Sequence, residues 1–278
     1  MSSLEITAPS PHPAHPRSVG PLVTLAQRRF RLTARTPREL IVPLLTPMMF
    51  ALVIAPSLKT ALHTGADYES FVAIGTVGLL IPLNTMFAGL GVIVDRVSGA
   101  QRELLTAPIP RRLLVLGNVL VALASTALQV AVLLAVALAT GIGYDATATG
   151  IAWFTAAAAL LTIGMYGIAE TLASRVPRQE EYIARVPAIA ILPWFLAGAL
   201  FPITALPSAL TWVAKLLPLT HALALMRYGL LDDSSGLHAI WGLGDPGAMA
   251  ALSLTVVSGF ALLLTSVSIR VFSLSSVR

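Results

Sequence analysis

The chain has 278 residues, of which 56% are hydrophobic and only 11% are charged. A water-soluble domain of this length would carry more charged side chains on its helix surfaces, so the composition predicts an all-α protein that crosses a membrane several times. The formal net charge of +5 is too small to indicate nucleic-acid binding, and the absence of cysteine excludes disulfides and thiol chemistry.

The amino-terminal region divides into two parts. Residues 1–20 are rich in Pro, Ser and His and lack the apolar core of a signal peptide, so we expect a disordered cytoplasmic tail. Residues 21–38 mix Leu and Phe with arginines, which predicts an amphipathic helix lying in the membrane interface with its arginines toward anionic headgroups. A plain positively charged flank before the first span is the alternative.

Six apolar stretches in residues 39–278 each approach the ~20 residues that a helix needs to cross ~30 Å of hydrocarbon. They predict a domain of six transmembrane helices. Pro43 and Pro47 predict a kink in the first span, and the glycines of the second predict close helix packing. The candidate spans are Leu40–Leu58, Phe71–Val94, Leu113–Thr140, Ile151–Ala173, Pro187–Ile203 and Ala248–Ile269.

The basic residues indicate how the spans are oriented. Fifteen of the 18 Lys and Arg residues precede the first span, follow the sixth, or fall between spans two and three or four and five. The positive-inside rule therefore places both termini in the cytoplasm. Six spans also require both termini on one side, so the two arguments agree.

The chemistry missing from the chain limits its function. There is no G-x-x-x-x-G-K-[ST] phosphate loop, no nucleophile–base set and no ligand spacing among the five histidines, so we expect no catalytic site, bound metal or cofactor on this chain. Glu170 is the one plausible acid within the spans, and an ion-coupled carrier needs such groups. Pairing with Arg175 is the favoured role for Glu170. We therefore expect any transport to draw its energy from another subunit.

The segment 95–112 follows the second span on the cytoplasmic side. Asp95–Ala107 predicts a short amphipathic helix that Pro108 and Pro110 would stop. Such a helix, lying flat below the membrane, suits docking into a groove on a soluble partner. The candidate contact residues are Asp95, Arg96, Gly99, Arg102, Glu103, Leu104, Leu105, Ala107 and Pro108.

The segment 204–235 is too apolar for an ordinary exposed loop. Two short helices, Ala209–Leu216 and Thr220–Leu230, are predicted on either side of Pro218, and we expect them to form a re-entrant hairpin in the outer half of the membrane. A full span over Leu210–Leu231 is the alternative. The candidate residues of this outer region are Gly198, Phe201, Pro202, Pro207, Pro218, His221 and Arg227.

Arg227 has two possible roles. It could bind an anionic substrate or a lipid headgroup. Pairing with Asp232 or Asp233 near the outer surface is the favoured alternative.

Together the two segments resemble the membrane subunit of type-two ATP-binding-cassette (ABC) exporters, the family that includes daunorubicin-resistance-like and polysaccharide-export permeases. In the first segment the similarity rests on Asp95-Arg96, Gly99 and LLTAPIPR at 104–111, with Asp95 where the family more often has Glu. In the second segment it rests on GALFP at 198–202, Leu206-Pro207, LPLTH at 217–221 and Arg227.

The resemblance implies a dimer of six-span subunits, formed with itself or a paralogue, that binds two cytoplasmic ABC ATPase subunits. ATP and Mg²⁺ would belong to those ATPases. The segment 95–112 would be the coupling helix in the ATPase groove, and the re-entrant helices would cap the outer mouth. Membrane lipid is the remaining expected partner. The residues expected at the ATPase contact are Arg96, Arg102, Glu103, Leu104 and Leu105.

Only 6% of residues are aromatic, and Ala, Leu and Val dominate the spans. A smooth apolar path suits a hydrophobic or amphipathic small molecule, so we expect export of a drug or lipid across the cell membrane. A glycan or lipid-linked glycan is an alternative, although exporters of sugars favour aromatic rings for stacking. Two further alternatives are a non-transporting membrane scaffold and an ion-coupled carrier.

Overall fold

The structure is a computed structural model that describes residues 19–35, 37–54, 56–57, 60, 67–106 and 108–275. The prediction for the tail falls almost entirely outside the described residues, as does Ala107. The described part of the chain is helical and contains no strand. Its helices are α1 (Val19–Arg35), α2 (Pro37–Met49), α3 (Asp67–Val97), α4 (Ala100–Thr106), α5 (Arg111–Ala139), α6 (Ala148–Arg175), α7 (Gln179–Leu196), α8 (Ser208–Leu216), α9 (Pro218–Leu231), α10 (Ser235–Trp241) and α11 (Pro246–Ser275).

Four of the described helices, α3, α5, α6 and α11, are long and apolar enough to cross a membrane. They coincide with predicted spans two, three, four and six, and they make this a multi-pass membrane protein. The first predicted span falls on α2 and the π-helical turn Phe50–Ile54, whose apolar part Ile41–Ile54 is shorter. The fifth falls on α7, whose first turn carries Glu180 and Glu181.

The two short helices predicted around Pro218 are present as α8 and α9, and they are bent by 81° relative to each other. Pro218 occupies the first turn of α9, where its missing N–H costs nothing, and Leu217 before it is extended, with φ −77° and ψ 124°. The residue before a proline is pushed out of the helical region. The chain therefore does not form one straight helix over Leu210–Leu231.

The kink predicted in the first span corresponds to an irregular helix in the structure. Pro43 and Pro47 both lie inside α2 and are both buried, and the helix passes into the π-helical turn at Phe50–Ile54. Each proline removes one hydrogen bond from the helical ladder. A π turn directly after such a defect is a common way for a helix to accommodate it.

The centre of the bundle is formed by α3 and α6. Helix α6 packs against α3, α9 and α11, while α3 also contacts α2, α5 and α7. Hydrogen bonds of buried side chains join α3 to two of these helices. Asn84 Nδ2 donates to Thr126 Oγ1 of α5 at 2.6 Å, and Trp194 Nε1 of α7 donates to the carbonyl of Gly75 at 2.7 Å. A Cβ at position 75 would lie 2.1 Å from the carbonyl oxygen of Ala199, so this glycine permits the close packing that was predicted.

The helix ends gather at two opposite poles of the bundle. At one pole, Arg96 at the end of α3 contacts the end of α6, and Arg111 at the start of α5 contacts Ser273 near the end of α11. At the other pole, the start of α3 contacts the turn after α7, through Tyr68 and Leu200. The two predicted functional segments therefore lie at opposite poles.

Candidate functional site

The segment 95–112, called the connector below, begins differently from its prediction. Helix α3 does not stop at Val94 but continues through Asp95 and Arg96 to Val97, because no helix breaker precedes Gly99. Gly99 has φ +83°, a left-handed conformation that ends the helix and that side chains other than glycine adopt at a cost. Only Ala100–Thr106 forms the separate short helix α4.

Asp95 joins the connector to the amino-terminal helix. Its Oδ2 accepts from Arg29 Nη1 at 2.9 Å, and Arg28 Nη2 lies 3.7 Å from Oδ1. The Arg29 guanidinium also donates to the carbonyls of Gly91 and Ala88, at 3.2 and 3.3 Å. Its side chain is only 11% exposed. Arg29 therefore faces the protein, whereas the sequence predicted that the arginines of this helix face lipid headgroups.

Arg96, the next residue of α3, contacts a different neighbouring helix. Its Nη1 donates to the carbonyl of Ala173 at 2.9 Å, and its Nη2 donates to the carbonyls of Val176 and Pro177, at 2.5 and 3.4 Å. The last carbonyls of a helix have no partner within the helix. Arg96 supplies donors to this end of α6 and to the turn that leads into α7, and it thereby ties both to the connector.

Helix α4 has one face toward the protein and one toward solvent. Leu104 and Leu105 are half-buried and pack against a cluster formed by Leu114, Val115 and Phe272. The residues exposed on the other side are Arg102, Glu103, Thr106 and Pro108. Of the predicted contact residues in the described connector, Arg102, Glu103 and Pro108 are thus the ones most open to a partner.

A contact that the sequence did not reveal fixes the far end of the connector. Arg111 Nη1 donates to the carbonyl of Ser273 at 2.8 Å, which joins the start of α5 to the last turn of α11. The sequence signal was present in the Arg111-Arg112 pair after Pro110, but it did not identify which helix end would accept. The connector is therefore anchored at both ends, while the outer face of α4 stays exposed.

Glu170 does not pair with Arg175. Five residues correspond to about 140° around a helix, so the two side chains lie on different faces. Glu170 is completely buried, both carboxylate oxygens lack a hydrogen bond, and Arg175 is exposed. Tyr166 and Asn118 lie beside the carboxylate, and the cation whose charge acts on it is Arg29.

At the opposite pole, Arg227 lies inside the protein with 5% of its surface exposed. Its Nη1 donates to the carbonyl of Gly198 at 2.9 Å, and its Nη2 donates to those of Ala199 and Phe71, at 3.0 and 3.3 Å. The ring centroid of Phe71 is 3.4 Å from its guanidinium carbon. Among the described residues no ion pair joins Arg227 to Asp232 or Asp233, so the favoured pairing is not formed at contact distance, although the charge of Asp233 acts on Arg227. Arg227 is turned inward toward the carbonyls of a chain reversal rather than toward the surface.

That chain reversal explains several of the other predicted residues. Gly198 has φ +79°, and a Cβ there would lie 2.8 Å from Ile203 Cγ2. Pro202 and Pro207 precede the 3₁₀ turn Ile203–Ala205 and helix α8, respectively. Phe201 is 36% exposed and lies at the rim of this turn. The glycine and prolines therefore shape the turn.

His221 connects four elements of this pole. Its Nε2 donates to the carbonyl of Lys215 at 2.9 Å, which leaves Nδ1 to accept from Ser253 Oγ at 3.2 Å. Trp241 Nε1 can only donate, and it donates to the same Ser253 hydroxyl at 2.8 Å. In this series of hydrogen bonds, each donor has one acceptor when the imidazole is neutral. His221 thus holds α8, α9, α10 and α11 together.

Among the described residues, no group of three or more His, Cys, Asp or Glu side chains could hold a metal ion. A cavity of about 880 Å³ lies at the pole of Arg227 and is lined in part by Glu69, Asp145, Asp232 and Asp233.

Comparison with known proteins gives the family. Residues 21–231 match the ABC-2 type transporter family. "Putative transport permease ycf38" of Porphyra purpurea is 24% identical over 211 residues, which cover 73% of this chain and 72% of that protein. "Nodulation protein J" of Bradyrhizobium diazoefficiens is 26% identical over 185 residues, covering 63% and 67%.

"Nodulation protein J" of Rhizobium meliloti is 32% identical over 108 residues, which cover 36% of this chain and 41% of that protein. The family match extends from α1 to the end of α9 and includes both the connector and Arg227. The resemblance seen in the two motifs is confirmed, and the chain belongs to the ABC-2 type transporter family.

Proposed function

We propose that this chain is the permease subunit of an ATP-driven ABC exporter that moves a hydrophobic or amphipathic small molecule, a drug or a lipid, out of the cytoplasm or inner leaflet. Two permeases would associate with two separate ABC ATPases, which carry ATP and Mg²⁺. In this proposal α2 with its π turn and α7 are the first and fifth of six spans. Both termini are cytoplasmic, and α8 and α9 form the outer re-entrant hairpin.

The observation that carries the proposal is the anchoring of the connector. Asp95 binds α1, Arg96 binds the end of α6, and Arg111 binds the end of α11, while Arg102 and Glu103 remain exposed on α4. A force applied to α4 would therefore act on several helix ends together. A partner that contacts α4 differently in two nucleotide states could in this way bias the arrangement of the spans.

Three of the largest aromatic side chains are buried, which supports a drug or lipid over a glycan, although Trp212 and Phe195 are exposed. Trp194, Tyr166 and Tyr182 are at most 1% exposed, and two of them are engaged by hydrogen bonds to α3 carbonyls. Sugar rings are bound by exposed aromatic faces. These three rings are not available to stack on a sugar. A glycan is therefore the less favoured substrate class.

The proposal is tested by reconstituting the chain with its partner ABC ATPase and measuring ATP hydrolysis in proteoliposomes. We expect Arg102→Gln and Glu103→Gln each to lower the stimulation of ATPase activity by the permease about fivefold or more. Lys215→Gln, at the opposite pole, is the matched control and should leave stimulation unchanged. Normal stimulation in both α4 variants would remove these residues from the coupling mechanism.

The same vesicles distinguish the alternatives. ATP-dependent movement of a fluorescent lipid or an amphipathic dye, with no movement of a lipid-linked glycan, is the expected result, and the reverse pattern would favour the glycan. A scaffold would purify without any ATPase and support no transport. Transport that survives ATP depletion but stops when the proton gradient is dissipated would favour an ion-coupled carrier.

A further inference from the structure

Helix α8, at the pole opposite the connector, carries an apolar stripe that stays exposed. Ala209, Trp212, Val213 and Leu216 recur every three or four residues and therefore lie on one face of the helix. All four side chains are exposed, and the exposed fractions of Trp212 and Leu216 are 70% and 79%. A continuous apolar surface of this kind marks a contact with a membrane or with another protein.

The remaining faces of α8 hold it against the protein. Ala214 is completely buried, and the Thr211 hydroxyl donates to the carbonyl of Ile203 at 3.1 Å. Ile203 belongs to the turn after α7, so this bond fixes the rotation of α8 about its own axis. The direction in which the apolar stripe faces is therefore set by the fold.

The composition of α8 suits the interface of a phospholipid bilayer. Lys215 lies beside the stripe, with its Nζ 5.4 Å from the ring centroid of Trp212. Tryptophan and lysine both favour the headgroup region, because each has an apolar part that enters the lipid and a polar end that stays hydrated. Helix α8 contains no acidic residue that would repel the lipid phosphates.

Helix α11 indicates the depth at which α8 lies. It has 30 residues, so its length is about 45 Å. Centred on a hydrocarbon layer of ~30 Å, such a helix extends about 7 Å beyond each side. Ser253 follows the first residue of α11, Pro246, by seven positions, or about 10 Å. His221 contacts both Ser253 and the carbonyl of Lys215, so the end of α8 lies near the boundary of the hydrocarbon layer.

We propose that α8 is an interfacial helix, which lies in the plane of the bilayer with its apolar stripe in the boundary between headgroups and acyl chains. Lys215 extends from the side of the helix toward the lipid phosphates. The 81° bend between α8 and α9 lets α9 enter the bundle while α8 remains in the membrane plane. This inference names the lipid contact of the proposed hairpin, and it rests on the proposed function only in calling this leaflet the outer one.

The test uses spin labels at single cysteines, since the chain has no cysteine of its own. Labels at Ala209→Cys, Val213→Cys and Leu216→Cys are placed on the stripe in phosphatidylcholine vesicles. Electron paramagnetic resonance then measures collisions with molecular oxygen, which concentrates among acyl chains, and with a nickel chelate, which stays in water. We expect the oxygen-to-nickel ratio on the stripe to exceed that of Ser208→Cys about threefold or more.

Ser208→Cys is the matched control for Ala209→Cys. The two residues are small, exposed neighbours in α8, and their side chains diverge by about 100° around the helix. A label at Gly244→Cys marks the aqueous phase, because Gly244 is exposed and nothing lies within 4 Å of a Cβ built there. These variants change no buried side chain, so the protein should fold normally.

The three stripe labels also report the direction of α8. In an interfacial helix they lie at one depth, so their ratios should be similar. In a helix that crosses the membrane, depth changes by about 1.5 Å per residue, and the ratio would change steadily from Ala209→Cys to Leu216→Cys. A steady change of that kind would overturn the proposal.

Other outcomes would also contradict a lipid contact. Stripe labels as accessible to nickel as the label at Gly244→Cys would place the stripe in water. Labels shielded from both reagents would place it against protein, and dipolar broadening in the fully labelled sample would identify that protein as a second copy of the chain. None of these measurements requires an ATPase or transport, so failure of the proposed function would leave the result for α8 unchanged.

Discussion

Arg29 and Asp95 form an ion pair, with 2.9 Å between Nη1 and Oδ2, that joins α1 to the last turn of α3. Helix α1 packs along α5, so the pair closes a contact among three elements. Both side chains are largely shielded, with 11% and 16% of their surfaces exposed. The helix that precedes the spans is therefore attached to the residue from which the connector starts.

Loss of this ion pair should destabilise the protein. We expect Asp95→Asn to lower the free energy of unfolding by roughly 1–3 kcal/mol, because it leaves the shielded Arg29 without its charged partner. Asp95→Glu, which keeps the charge, should cost less. The measurement is unfolding in detergent for Asp95→Asn, Arg29→Gln and the double variant. Strict additivity of the two single effects would mean that the pair contributes nothing.

Gly91 allows Arg29 to reach Asp95. A Cβ at position 91 would lie 1.3 Å from Arg29 Nη2, and the flexible guanidinium would have to move. We therefore expect Gly91→Ala to displace Arg29 without changing any charge and to increase the protease sensitivity of α1. Gly259→Ala is the control, since nothing lies near a Cβ at position 259 in α11. Equal protease sensitivity in the two variants would show that Arg29 does not hold α1.

Glu170 offers a test of how the protein is driven. Glu170→Gln replaces an unpaired buried carboxylate by a neutral group of similar shape, so we expect unchanged or higher stability, by up to ~1–3 kcal/mol, and intact ATP-dependent transport. Thermal unfolding and vesicle transport are measured together, with the exposed Glu181→Gln as control. Loss of transport in a folded Glu170→Gln protein, with sensitivity to a protonophore, would instead favour an ion-coupled carrier.

Tyr144, in the loop between α5 and α6, should make stability fall at high pH. Burial raises the pKa of its hydroxyl to about 12, and that hydroxyl has no hydrogen-bond partner. The ordinary pKa is near 10. Between these two values the folded state keeps the proton that the unfolded state loses, so the contribution of Tyr144 to stability is complete below about pH 10 and is lost as the pH rises toward 12.

Tyr144→Phe should remove this part of the pH dependence and leave stability near pH 7 almost unchanged, because no hydrogen bond is lost. The measurement is the unfolding temperature from about pH 7 to about pH 11 for both proteins. Parallel curves for Tyr144→Phe and the unaltered chain would contradict the assignment.

Much of the architecture could be read from local patterns. Long apolar runs predicted α3, α5, α6 and α11, and Pro218 predicted the break between α8 and α9. The two ordered motifs predicted the family, and the match of residues 21–231 confirms it. These features depend on hydropathy, helix length and backbone restrictions, which are properties of consecutive residues.

The partners of the charged residues could not be read in the same way. Asp95 binds Arg29 across 66 positions, and Arg227 binds the carbonyl of Phe71 across 156 positions, instead of the nearby acids Asp232 and Asp233. Glu170 and Arg175 are close in the chain but lie on different faces of α6.

The sequence alone was thus sufficient for the helical membrane class, most span positions and the family, because hydrophobic length and turn chemistry act locally. The tertiary structure decided which arginines face inward and how the connector is anchored. Those outcomes depend on distances between helices, and a buried charge takes whichever carbonyl or carboxylate the packing brings within reach.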